Sequence, residues 1–231
     1  MAIVKRTFSI PEEISHKLDE SIPQQEKSRF VSNILAEALR RQNKEKLLKL
    51  LDELEPSANT QNDKSVVDII RDIRQQRSKR LVNNSWRYIA MTIVVPDASV
   101  CAKLFITEHD SEEANTFFTT CAYTNTKLVA PDLFIYEVAE SIRYCDTPLK
   151  KVFSVMGIMR NSIMSITSPD RDTWYLAEEM TQQGHPKSGF PSMYGSIYHA
   201  MAIKLDAIFL TADKRHYAKT KQYDHIKLLE N

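Results

Sequence analysis

The sequence predicts an α/β fold over its C-terminal part, preceded by a small strand-helix-helix arm and a basic helical segment. Three observations predict it. From Thr92 onward, short apolar runs such as Ile93-Val94-Val95 and Ala207-Ile208-Phe209-Leu210 alternate with stretches of helical period, the pattern of a parallel sheet with helical crossovers. Before Met91 there is one strand-like stretch, followed by helices. Charge divides at the same place: residues 1–90 hold 17 Lys and Arg against 13 Asp and Glu, whereas residues 91–231 hold 14 against 17.

The 231 residues are 42% hydrophobic and 26% charged, enough to bury at least one sizeable core. Cys101, Cys121 and Cys145 are odd in number and widely spaced, which argues against a disulfide scaffold and against a zinc knuckle, so a reducing cytoplasm is expected. No stretch approaches the length of a membrane span, and the N-terminus runs into Lys5-Arg6 without an apolar signal core. A cytoplasmic protein with no membrane partner is the expectation.

Residues 3–10 place Phe8 and Ile10 on one face of a strand and Lys5, Thr7 and Ser9 on the other, and Pro11 ends it. A helix over 12–20 carries Ile14 and Leu18 four apart; Ile22-Pro23 breaks it, and Ser28 is placed to cap a second helix with Val31, Ile34, Leu35, Ala38 and Leu39 on one side. An arm over residues 1–42 is too small to bury a core alone, so pairing with a second copy is expected. Two such strands form a ribbon whose outward Lys5, Thr7 and Ser9 fit a DNA major groove, while the amides near Ser28 and Arg29 hold a backbone phosphate.

Residues 43–63 lose periodicity, end in Pro, Ser and Asn, and read as a linker after a fraying helix. Residues 64–90 regain order. Val66, Ile70, Ile73 and Leu81 share a helical side, and Arg71, Arg74, Arg77, Lys79 and Arg80 outweigh Asp68 and Asp72. Such a basic amphipathic helix suits an acidic cleft, a nucleic acid or a membrane surface. An acidic cleft is the reading adopted here, with Trp86 and Tyr88 as anchors of the segment's end.

In the remainder, over 91–231, the expected order is a strand at 93–95, helices at 98–105 and 111–120, and a strand near 127–129. Helices at 132–145 and 148–157 follow, then a strand at 163–166, helices at 170–182 and 191–205, a strand at 207–210, a helix from Lys214 and a last strand at Ile226-Lys227-Leu228. Asp97 follows the first strand, Glu137 lies inside the helix beginning near Asp132, and Asp213 follows the strand at 207–210 through Thr211-Ala212. Residues just beyond parallel strand ends converge on one crevice. Three carboxylates there repel one another unless a cation lies between them, and oxygen-only ligation suits Mg²⁺ or Mn²⁺. Ser99 and Thr211 are placed to steady Asp97 and the Asp213 loop, Glu140 to assist at the rim, and Asp132 to cap its helix. His109, His185, His199, His216 and His225 show no ligand spacing and read as structural or surface residues.

Two stretches resemble known families. Lys-Arg-Thr-Phe-Ser-Ile-Pro-Glu-Glu at 5–13 and Lys-Ser-Arg-Phe-Val-Ser-Asn-Ile-Leu-Ala-Glu-Ala-Leu at 27–39 look like a ribbon-helix-helix antitoxin. Val-Val-Pro-Asp-Ala-Ser-Val at 94–100, Ala-Pro-Asp-Leu-Phe-Ile-Tyr-Glu-Val-Ala at 130–139 and Phe-Leu-Thr-Ala-Asp-Lys-Arg at 209–215 resemble a PIN domain of the VapC toxin type. The resemblance implies a VapBC-type toxin-antitoxin pair in one chain, with Met91 where a separate toxin would start. It implies a PIN-like α/β/α parallel sheet, a metal-dependent endoribonuclease with Asp97, Glu137 and Asp213 as metal-site acids, and an RNA substrate. It also implies binding and repression of operator DNA by a homo-oligomer, and a neutralising segment from which Arg74, Arg77 or Arg80 reaches the acids. The PIN pattern calls for aspartate where Gly195 stands, so weakened or absent activity is expected, and restoring that aspartate is expected to raise cleavage. A repressor that uses the PIN fold as an oligomerisation scaffold, or a DNA-directed nuclease, are the alternatives.

Overall fold

The computed structural model describes residues 4–54, 93–124, 126–143, 145 and 147–229. Contacts divide the chain into two compact units, Met1–Gln42 and Asn43–Asn231.

In the first unit, helix α1 spans Glu12–Ser21 and helix α2 begins at Lys27. Glu12 and Glu13 sit in the first turn of α1, where carboxylates favour the helix dipole. Ser28 lies inside the first turn of α2 and does not cap it; its carbonyl accepts from Ser32 Oγ at 2.8 Å. Residues 4–10, expected as a strand, carry no ladder: a strand is defined by hydrogen bonds to a neighbour, and within one chain none pairs there. Lys5, Thr7, Ser9, Ser28 and Arg29 are all exposed. The apolar faces are exposed as well, with Ile34 at 49% and Leu39 at 59%, and no residue of α1 is buried.

Helix α2 does not fray near residue 40. It runs unbroken to Asp52, so the first part of the linker expected over 43–63 is helical. Leu47 and Leu51, four apart and hence on one face, are fully buried in the core of the second unit. The Leu51 carbonyl accepts from Asn115 Nδ2 at 2.8 Å, and Asn43 Nδ2 donates to the Asn161 carbonyl at 3.5 Å. Apolar packing overrides the charges of this stretch, which lie on the solvent side. The neutralising segment expected over 64–90, with Arg74, Arg77, Arg80, Trp86 and Tyr88, lies outside the described residues.

The second unit is α/β. Strand β1 (Ile93–Pro96) is followed by α3 (Ala98–Ala102), α4 (Ser111–Thr124), β2 (Lys127–Pro131), α5 (Phe134–Ser141), α6 (Leu149–Ser162) and β3 (Met164–Thr167). Then come α7 (Arg171–Gln183), α8 (Met193–Lys204), β4 (Ile208–Thr211), α9 (Lys214–Thr220), a 3₁₀ turn at Lys221–Tyr223 and β5 (Ile226–Leu228). The alternation predicted from the sequence is present. Helix α5 is shorter than expected, starting at Phe134 after Leu133 rather than at Asp132, whose carboxylate instead accepts from Ser168 Oγ at 2.9 Å.

All five strands are parallel, in the order β3-β2-β1-β4-β5. Val94 pairs with Leu128 on one side and Ile208 on the other, so β1 is central. The chain moves from β1 to β3 in one direction and then returns to place β4 on the opposite side. With right-handed crossovers this reversal covers both faces, and it splits the connections at the carboxyl ends of β1 and β4 into a crevice.

Helix α8 lies against β1, β2 and β4 on one side and α7 on the other. Its run Ser196–Ala202 is buried all round, as expected of a helix between two layers. Ala177 and Met180 of α7 pack against Ile197 and Ala200 in a separate small cluster, while Tyr198 and Phe209 belong to the main core. No helix of the described residues is long and apolar enough to cross a membrane.

Candidate functional site

The crevice forms where the strand order reverses. The Asp97 amide donates to the Leu210 carbonyl at 2.8 Å, extending the β1-β4 ladder by one bond and fixing Asp97 at the sheet's carboxyl edge. Its Oδ2 accepts from Ser99 Oγ at 2.8 Å and from Thr211 Oγ1 at 2.5 Å. Ser99 Oγ in turn accepts from the Ala212 amide at 3.1 Å, and Thr211 Oγ1 from the Asp213 amide at 3.0 Å. The β1 and β4 ends are therefore tied through two hydroxyls and one carboxylate. Ser99 and Thr211 thus hold the Asp97 carboxylate, and Thr211 also holds the Asp213 amide.

Asp213 opens α9. Its Oδ1 accepts from the Arg215 and His216 amides at 2.8 and 3.1 Å, an N-cap that sets the carboxylate's direction. Glu137 projects from α5, and its Oε2 accepts from the Tyr198 hydroxyl of α8 at 2.5 Å. Glu140 is exposed and pairs with Arg143 at 3.2 Å, a contact along its own helix.

Electrostatics join the three acids. Burial raises the Asp97 carboxyl above its ordinary range against the pull of Thr211 and Ser99, and the Asp213 charge adds to the rise. Burial also raises Glu137, with the Asp97 charge adding to it and the Tyr198 hydroxyl opposing. Asp97 is thus the shared member of two like-charged pairs. Each of the three acids is held by protein donors: Asp97 by Ser99 and Thr211, Glu137 by Tyr198, and Asp213 by the α9 amides.

Among the described residues no three His, Cys, Asp or Glu side chains converge closely enough to enclose a metal ion. A complete protein cage is not what Mg²⁺ requires, since it keeps several waters and is commonly held by one or two carboxylates plus substrate phosphates. Two charge-coupled carboxylates, Asp97 and Glu137, fit that lesser demand. Gly195 adds no ligand.

Gly195 lies in the first turn of α8, its amide donating to the capping Ser192 Oγ at 3.3 Å. Its space is taken by His216 of α9: a Cβ built on Gly195 would stand 2.8 Å from Cε1 and 3.1 Å from Cγ of that ring, and closer still to Nδ1. The aspartate that the family pattern calls for would have to displace the His216 ring. His216 and His199 are buried with ring centroids 6.0 Å apart, and burial pushes both down to about 4.

Two residues of the site were missed from the sequence. Tyr198 was not singled out within the helix expected over 191–205, although a hydroxyl in a helix otherwise buried all round needs a polar partner. His216 read as structural, and nothing in its spacing points to Gly195, 21 positions earlier. No protein-family model matches the chain, and no curated protein matches it.

Proposed function

We propose that the second unit is a PIN-like domain, the toxin half of a VapBC-type toxin-antitoxin pair, acting on phosphodiester bonds of RNA. The observation that carries this reading is the placing of Asp97 at the strand-order reversal, charge-coupled to Glu137 and to Asp213. Several acids at one sheet edge suit phosphoryl chemistry, in which carboxylates hold a cation against the phosphate oxygens.

Asp97 and Glu137 would hold Mg²⁺ or Mn²⁺, which when bound lowers the pKa of water and stabilises charge building on the phosphoryl oxygens. Ser99 and Thr211 fix the Asp97 carboxylate, and Tyr198 fixes that of Glu137. Asp213, anchored by the α9 amides, adds negative potential at the mouth. With Gly195 in the fourth place the centre binds its cation weakly, and turnover is low.

The first unit supports the other half of the reading. No residue over 12–42 is buried, and Ile34, Leu35 and Leu39 expose a face that a second copy covers. A paired arm with Lys5, Thr7 and Ser9 outward would bind operator DNA and repress its own gene, in the cytoplasm, with the neutralising segment reaching the acids. A second reading, a repressor in which the α/β unit serves only as an oligomerisation scaffold, is favoured by Gly195.

Incubating the full chain with matched RNA and DNA in Mg²⁺ or Mn²⁺ separates these accounts. Slow cleavage of RNA alone, lost in Asp97→Asn, is expected. Cleavage of DNA points to a DNA-directed nuclease, and cleavage of neither, with operator binding intact, to the scaffold.

A further inference from the structure

Glycine at 195 has no backbone reason. Its φ is not in the left-handed region, and within a helix glycine is disfavoured relative to alanine. The reason is steric. Non-bonded carbon atoms settle near 3.5 Å or beyond, whereas a Cβ here would stand 2.8 Å from Cε1 of His216.

The ring cannot readily give way. His216 is 4% exposed and meets Phe209 edge-on at 5.5 Å and His199 at 6.0 Å, while Asp213 holds the α9 backbone that carries it. Hydrogen bonds do not place the ring either, since both of its nitrogens are buried without a partner among the described residues. Packing alone puts it there, in the room that a side chain at 195 would need.

We propose that Gly195 and His216 are an interlocked pair: the imidazole fills the room that a side chain at 195 would need, and under the nuclease reading that room is the place of a fourth acid, which a change at 195 alone cannot restore. This rests on the nuclease reading for what the fourth acid would do, but the interlock itself does not. Small residues at 195 and a large one at 216, or the reverse, are the two arrangements that fit. The exchange of one residue without the other overpacks the α8-α9 contact.

A double-mutant cycle on the full chain tests the interlock. Gly195→Ala is expected to lower Tm by about 5 °C, from overpacking. In the His216→Ala background the same change should cost nothing or raise Tm. Equal costs in both backgrounds would overturn the interlock. Mn²⁺ binding, followed by electron paramagnetic resonance, tests the acid's place. Gly195→Asp with His216→Ala should bind at least tenfold more tightly than His216→Ala, and Gly195→Asp alone should gain less than twofold. No gain in the paired variant would overturn the assignment of 195 as the fourth acid position. Failure of RNA cleavage in the parent chain with a coupled cycle would remove the nuclease reading and leave the interlock standing.

Discussion

The hydroxyl of Tyr198 donates to Glu137 Oε2 at 2.5 Å, tying the middle of α8 to α5 beside Asp97. The same ring stacks on Phe209 of β4, with centroids 5.7 Å apart. One side chain therefore spans from the sheet's apolar face to its acidic edge. It sets where Glu137 points and counters part of the cost of burying that carboxyl.

Tyr198→Phe keeps the stacked ring and removes the donor. A buried acceptor left without its donor costs about 1–3 kcal/mol, to be read from urea unfolding at neutral pH. The Glu137 pKa should rise further, because the hydroxyl is the contact that lowers it.

Stability should fall on mild acidification. His199 and His216 are held neutral, with pKa values pushed down to about 4 from an ordinary 6.5. Between those values the unfolded chain binds more protons, so the stabilisation is complete above the unfolded pKa and is lost as pH falls toward 4. Each histidine accounts for about 3 kcal/mol across that window. Asp97 and Glu137, with raised pKa values, act in the opposite sense by taking up protons in the folded state. Urea unfolding of the parent chain at pH 7.5 and 5.0, against His216→Leu, checks this: the variant should lose distinctly less.

Leu47→Ala and Leu51→Ala should each destabilise the second unit by about 2–5 kcal/mol, the cost of a large-to-small change in a closed core. A chain starting at residue 91 should unfold at lower urea than one starting at residue 43, since it loses both leucines and the Leu51-Asn115 hydrogen bond.

The α/β part was legible because each strand is a short apolar run and each helix carries its own period, so order and approximate bounds followed from local pattern. Asp97, Ser99, Thr211 and Asp213 were legible for the same reason, lying at the end of, or within three positions beyond, strands whose ends must meet. The α2 extension was not: Lys44, Glu45, Lys46 and Lys49 mask Leu47 and Leu51, and only the core shows which face wins. Tyr198 and His216 escaped because their partners, Glu137 and Gly195, lie on other elements, and no local spacing encodes a contact between helices.

If a second copy covers the exposed face of α2, charge placed there should break the association. Ile34→Glu with Leu39→Glu should convert the assembly to a smaller species in sedimentation velocity and abolish operator binding, with the α/β unit's unfolding unchanged.

The most direct test of the crevice is a site-resolved titration of the Glu137 carboxyl by carbon NMR, in the parent chain and in Asp97→Asn. The charge coupling predicts a midpoint above 4.5 that drops when Asp97 loses its charge. An ordinary midpoint that the substitution leaves unmoved would contradict it, because the acids would then not share one site.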